Sequence, residues 1–171
     1  IMYRDLILAL TFILSLGISE DKTKSDILHN DLLPFNRLIG KKFIGQIQSK
    51  TGTQFITETV FWESALKGDA VRATHSFNED ELLGETLIMY DQLENQFSCW
   101  YFSSGGIFRK SKFLNKFNGI IFLEDVSRNN NSITKIRTKY EFDKINSYQK
   151  VTQYLINNVW TKGERVLYEI F

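Results

Sequence analysis

From residue 42 to the C-terminus, apolar residues recur with a period near two. The cleanest stretch is 133–142, where Ile136, Thr138, Tyr140 and Phe142 share one face and Lys135, Arg137, Lys139 and Glu141 share the other. Successive side chains on a strand point to opposite sides, so the first set is expected inside and the second in water. In 69–77, Val71, Ala73, His75 and Phe77 oppose Arg72, Thr74 and Ser76 in the same way. In 147–156, Tyr148, Thr152, Tyr154 and Ile156 oppose Gln149 and Gln153, and Lys150 is a misfit on the inward side. Segments 53–64 and 119–123 are apolar on both faces, which leaves their direction open. An outward apolar face there would mark a contact patch or a packed helix.

Runs rich in Phe, Ile, Val, Thr and Tyr predict strands at 42–49, 53–64, 69–77, 82–91, 96–103, 107–114, 119–126, 132–142, 147–157 and 160–170. The separators include Lys67-Gly68-Asp69, Gly105-Gly106, Asn118-Gly119 and Asn157-Asn158. Gly and Asn tolerate the positive φ that tight hairpins require. Ten successive strands without crossover helices imply antiparallel neighbours. Closure into an up-and-down barrel would remove the free edges of so long a meander. The rival is a two-sheet sandwich, whose longer Greek-key connections are not visible here. Ahead of the strands, Ile27, Leu28, Leu32, Phe35, Leu38 and Ile39 recur near helical spacing, interrupted by Pro34. One or two short helical turns are expected there, ending at Gly40.

The N-terminus follows a different pattern. Residues 6–18 form a nearly uncharged apolar run of thirteen, preceded by Arg4 and followed by small residues at Gly17 and Ser19. That order is that of a secretory signal peptide. The run is short for a membrane helix, which needs about 17–25 residues. An uncleaved anchor and a buried core helix are the other readings, and Asp5 weakens the positive start by offsetting Arg4. The expected organisation is a signal peptide at 1–19, a flexible leader at 20–31 and an all-β barrel domain at 32–171. A secreted or periplasmic location follows from this reading, with no stable membrane span after cleavage.

Composition narrows the class. The chain has 171 residues, 43% hydrophobic and 24% charged, which suits one globular domain and argues against disorder. With 21 basic and 20 acidic residues the net charge is +1, so the footprint of a nucleic-acid binder is missing. The single cysteine, Cys99, excludes an intrachain disulfide framework and a multi-cysteine zinc site.

Several segments in order resemble a known group. Leu38-Ile39-Gly40-Lys41-Lys42-Phe43-Ile44-Gly45 is similar to the G-x-W-x-G opening strand of small calycin-type barrels. Glu58, Val71–Phe77, Gly84–Asp91, Phe97–Gly106 and the closing segment Trp160–Glu169 follow. Together, over residues 32–171, they resemble exported bacterial lipocalin-like proteins of a family of unknown function. The resemblance implies a ten-stranded antiparallel barrel and no common activity. Two features depart from it. The Trp of the first strand is missing, with Phe43 displaced by one position, and the turn before Phe97 lacks the usual Pro and Gly.

Motifs for phosphate or dinucleotide binding, G-x-S-x-G and H-E-x-x-H do not occur. Of the two histidines, His29 lies in the leader and His75 on an inward face. His75 reads as a hydrogen-bonded barrel histidine, a ligand contact or a catalytic base. Haem is the one cofactor weighed, because nitrobindin-like barrels of this size bind it through one His. Those proteins use a late strand and His75 lies on an early one, so the match fails at that residue. An inward imidazole needs partners for both nitrogens, and Tyr140 and Tyr148 are the candidates.

Glu58 and Glu85 are mid-strand acids. Facing inward they would pair with Arg109 or with each other, and a close pair would raise one pKa; facing outward they would be solvated. Cys99, amid aromatics, reads as a small buried hydrophobe in preference to a reactive thiol. Trp62, Trp100 and Tyr101, with Tyr140, Tyr148 and Tyr154, either line a pocket or fill the core. The candidate ligand-binding set is His75, Trp100, Tyr140, Tyr148, Phe77 and Glu58.

The leading functional expectation is an exported barrel that binds a small, largely apolar ligand in its lumen. The alternatives are a hydrolase- or isomerase-type enzyme with His75 as proton-transfer group, and a structural or interaction barrel with a packed lumen. Lumen volume separates the last from the others, and a converging His–carboxylate pair would favour catalysis. On export, cleavage is expected near Ser19. N-terminal sequencing of secreted or periplasmic protein should begin near Glu20, and recovery of the intact chain from the cytoplasm would contradict it.

Overall fold

Ten antiparallel strands close on themselves in sequence order in a computed structural model that describes residues 27–48, 52, 54–79, 81–116, 119–126 and 132–171. The expected signal peptide lies outside the described residues. The strands are β1 (Lys42–Gln48), β2 (Phe55–Ala65), β3 (Ala70–Phe77), β4 (Leu82–Asp91), β5 (Gln96–Ser103), β6 (Phe108–Lys116), β7 (Gly119–Asp125), β8 (Ile133–Lys144), β9 (Ser147–Ile156) and β10 (Val159–Ile170). Each expected strand is present, with ends shifted by at most two residues. β1 pairs with β10, Phe43 opposite Ile170 and Gly45 opposite Tyr168, which closes the barrel and excludes the sandwich.

The turns use the residues the sequence offers. Asn157 and Asn158, at φ 49° and 62°, join β9 to β10, and Asn78 and Glu79, at φ 45° and 57°, follow β3. In the two-residue Asn157-Asn158 loop, positive φ at both central residues matches the right-handed twist of the flanking strands.

The two open-ended assignments are resolved by parity. On β2, Glu58, Val60 and Trp62 are buried while Phe55 and Phe61 are exposed; on β7, Ile120 and Phe122 are buried. Among the described residues no helix covers the outward apolar face of β2, where Phe55 and Phe61 are exposed.

One end of the barrel is plugged. The segment Asn30–Arg37 forms a 3₁₀ helix containing Pro34, whose missing N–H and ring are incompatible with a regular α-helical interior. Its Leu32 and Phe35 are fully buried, and Phe35 packs on Trp62, Phe113 and Phe122 at ring distances of 5.4–6.5 Å. The Gly40 N–H donates to the Trp62 carbonyl, fixing the entry into β1. Packing extends back to Leu28, which is buried, while the His29 N–H donates to the Gly68 carbonyl. No helix among the described residues is long and apolar enough to cross a membrane.

Because β10 pairs with both β9 and β1, removing residues 160–171 should expose two sheet edges. The truncated protein is expected to aggregate on refolding. A monomeric species with a cooperative melt, seen by size exclusion and circular dichroism, would show that closure is dispensable.

Candidate functional site

Five inward side chains from five strands form one network, in which three bond directly to the Glu58 carboxylate and Thr86 joins through His75. Glu58 on β2 is diagonal to His75 on β3, since Val60 is the residue opposite His75. Thr86 on β4 is likewise diagonal to His75, which lies opposite Gly84. Glu58 Oε1 lies 2.8 Å from His75 Nδ1, and His75 Nε2 lies 2.8 Å from Thr86 Oγ1. Lys150 Nζ on β9 donates to Glu58 Oε2 at 3.0 Å, and the Tyr168 hydroxyl on β10 donates to the same oxygen.

A glycine makes the last contact possible. On β1, Gly45 lies opposite Glu58 on one side and Tyr168 on the other. A Cβ at Gly45 would come within 2.6 Å of the Tyr168 ring. Only a residue without a side chain lets that ring lie across β1 and reach the carboxylate. Tyr168 is in turn stacked on Tyr148, with ring centroids 4.8 Å apart and planes 6° apart.

Glu58 is 1% exposed. Burial alone pushes its carboxyl up, but the Lys150 ammonium and the hydrogen bonds from His75 and Tyr168 overturn this and hold it at about 2, below its ordinary 4.5. Burial pushes the Tyr168, Tyr148 and Tyr140 hydroxyls up, and the Glu58 charge adds to the effect. The tyrosines therefore stay neutral beside the carboxylate.

Above this group the side chains do not fill the lumen. A cavity of about 700 Å³ opens toward the end opposite the 3₁₀ helix, where Asn78, Glu81, Leu82 and Ile107 form part of its rim. Its walls are mainly apolar, with Ile47, Ile56, Phe77 and Phe122 among them, while His75, Thr86 and Lys150 supply polar groups at its inner end. Tyr101, Arg109 and Glu124 also line it. Burial raises the Tyr101 hydroxyl, helped by the Glu58 charge and offset by Arg109. Burial likewise raises the Glu124 carboxyl, again offset by Arg109. Tyr101 lies edge-on to His75 at 5.6 Å, in space that a Cβ at Gly84 would fill, 2.7 Å from its hydroxyl.

Of the sequence-derived candidates, His75, Glu58, Phe77 and Tyr140 line this cavity. Trp100 does not. The buried residues Phe97 and Cys99 set the inward parity of β5, so Trp100 points outward, where the Lys110 ammonium sits 5.6 Å from its ring centre. Tyr148 packs beneath the cavity between Phe43, Tyr140 and Tyr168 instead of lining it. Trp62 is part of the same packed floor, against Phe35.

The expected partners of His75 are also corrected. Glu58 and Thr86 take the two nitrogens, in place of Tyr140 and Tyr148, because they occupy the diagonal positions on the adjacent strands. Glu85 faces outward and is exposed, one residue out of phase with Thr86, so it forms no pair with Glu58. Burial pushes the Cys99 thiol up to about 12, which makes it a poor nucleophile and agrees with a small buried hydrophobe.

Three participants escaped the sequence reading: Lys150, Tyr168 and Thr86. Lys150 did carry a signal. An ammonium on an inward position requires a buried anion, and Glu58 was the mid-strand acid to supply it. Haem does not fit the residues present, because both imidazole nitrogens of His75 are already bonded and neither is free for iron. Among the described residues no group of three or more His, Cys, Asp or Glu could hold a metal ion.

The sequence matches no family model and no curated protein. In structure the chain is similar to Rv2717c from M. tuberculosis, with a TM-score of 0.54 and 8% identity over 84% of this chain and 99% of that one. At that identity the likeness is one of fold alone. The shared fold is that of an antiparallel β-barrel.

The Glu58 pKa sets an acid limit to stability. Its folded-state value, about 2, lies below the ordinary 4.5, so its stabilising contribution is present above pH 4.5 and is lost as the pH falls toward 2. Denaturant melts over that range should show a loss of a few kcal/mol. Glu58→Gln should flatten that acid limb. It should also destabilise the protein at neutral pH by roughly 3–5 kcal/mol, because Lys150 is left without its counter-charge. Coincident pH profiles for the two proteins would refute the assignment.

Proposed function

We propose that this protein is an exported, lipocalin-like barrel that binds a small, largely apolar molecule in its lumen. The observation that carries the reading is the cavity of about 700 Å³ with mainly apolar walls. It falls in the range of roughly 300–1,000 Å³ typical of ligand pockets. A lumen packed solid with side chains would have left no such space, which counts against a purely structural barrel. Apolar burial, at about 25 cal/mol per Å², would supply most of the affinity.

Orientation of the ligand falls to the polar groups that remain able to turn toward it. His75 is committed on both nitrogens, so Arg109, Tyr101 and Glu124 on the cavity wall are the better candidates. Export rests on the apolar run 6–18 and its small-residue border. Outside the cytoplasm, such a barrel would capture or carry its ligand.

The test uses 1-anilinonaphthalene-8-sulfonate as a fluorescent apolar probe. Saturable binding near one probe per chain is expected. Thr138 lines the cavity, so Thr138→Trp should fill it and weaken the probe by more than about tenfold, or 1.4 kcal/mol, with the thermal melt retained. Unchanged binding in a folded Thr138→Trp protein would place the probe on the outer surface and sink the reading. Native mass spectrometry of protein from its own host would then identify any co-purifying molecule.

A further inference from the structure

The three side chains Glu58, His75 and Thr86 are connected in the order carboxylate, imidazole, hydroxyl, with both links at 2.8 Å. Their protonation follows by elimination. Glu58 is held ionised by Lys150 and Tyr168 on its other oxygen, so Oε1 can only accept. Nδ1 of His75 therefore carries a proton. In the neutral imidazole Nε2 then presents its lone pair, and the Thr86 hydroxyl is the donor placed to meet it. A hydroxyl whose proton is already directed at a base, with that base oriented by a buried carboxylate, is the arrangement that activates oxygen nucleophiles.

Two further observations place the chain of contacts where chemistry is possible. His75 and Thr86 both line the cavity, so the hydroxyl is adjacent to any bound molecule. All three residues lie on adjacent paired strands and not on loops, which fixes their geometry. Lys150 and Tyr168 also have a role in this arrangement. By keeping Glu58 ionised they let it stabilise the imidazolium that forms when His75 takes a proton.

We propose that Thr86 is a nucleophile, with His75 as its general base and Glu58 as the positioning residue, acting on small esters with an apolar acyl chain. The proposal rests on the reading that the lumen admits a small apolar molecule. In the first step Thr86 Oγ1 attacks the ester carbonyl carbon and its proton passes to His75 Nε2. The bond from that carbon to the leaving alcohol oxygen breaks, and the alcohol departs with the proton from His75, leaving an acyl ester on Thr86. Water then attacks the same carbon, giving a proton to His75. The bond to Thr86 breaks, Thr86 recovers the proton and the carboxylic acid leaves. The sum is ester plus water giving acid plus alcohol.

The test is incubation of the whole protein with p-nitrophenyl butyrate. The expected result is a burst of p-nitrophenolate approaching one per chain, with a butyryl group mapped to Thr86 by peptide mass spectrometry. Thr86→Ser, which keeps the hydroxyl and relieves crowding, should acylate at that position. Thr86→Val, which keeps the shape, should lose the burst. Displacement of 1-anilinonaphthalene-8-sulfonate by the same ester reports entry into the lumen separately. Displacement without a Thr86 adduct, or with butyryl only on other residues, overturns the nucleophile and leaves the binding reading standing. No probe binding and no adduct overturn both.

Discussion

A carboxylate that is 1% exposed inside a β-barrel has to be compensated where it lies, and the compensation of Glu58 organises the molecule. Removing an ion from water carries a penalty of several kcal/mol even after relaxation. Here the return comes from three directions. Lys150 supplies opposite charge from β9, His75 a hydrogen bond from β3, and Tyr168 a hydroxyl from β10. These strands lie on both sides of β1, so the interaction ties the two ends of the strand order together at the seam where the barrel closes. Backbone pairing between β1 and β10 is shorter than the other ladders, with Phe43, Ile44 and Gly45 in register. The side-chain bridge over Gly45 reinforces the closure at its shortest seam.

The same carboxylate divides the lumen into two zones. Beneath it, Tyr148 stacks on Tyr168 while Phe43, Tyr140 and Trp62 pack in edge-on and tilted contacts, and the 3₁₀ helix adds Phe35 against Phe113 and Phe122. This floor is filled by rings, and Tyr140 forms its upper surface toward the cavity. Above it the walls continue in apolar residues but enclose space. A ten-stranded barrel is wider than its own side chains readily fill, and the helix fills one end only. The cavity is thus a consequence of strand number combined with a single plug.

The division also explains what the sequence disclosed and what it withheld. Strand positions, closure and the inward faces of 69–77 and 133–142 follow from alternation, which is local and needs no partner. Trp100 points away from the lumen because it alternates with Cys99 and Tyr101, and parity, not aromatic character, governs direction on a strand. The direction of β2 was not legible, since Phe55, Phe61, Val60 and Trp62 are apolar on both faces. Lys150 held the missing information. Read as a misfit, it spoiled an inward face; read as a buried cation, it demands an anion and turns Glu58 inward. Thr86 and Tyr168 could not have been found this way, because hydroxyls are acceptable on either face. Their roles depend on which diagonal neighbours the register supplies.

Stability alone does not account for where this polar group sits. Replacing a buried ion pair by well-packed apolar residues is often neutral or stabilising, so a barrel needing only a firm floor could have been completed with aliphatic side chains. Instead, five polar residues are gathered at the boundary between packed floor and open lumen, each bonded to at least one of the others. Such networks are favourable only when every member is satisfied, which fixes the rotamers of His75 and Thr86 on the cavity side. Two glycines support the same outcome. Gly45 leaves room for Tyr168 to hold the carboxylate, and Gly84 leaves room for Tyr101 to lie edge-on to the imidazole. The imidazole is thereby held in one orientation, with a defined tautomer when neutral, facing an apolar space open to small molecules. Preorganisation of that kind is what binding and proton transfer both require.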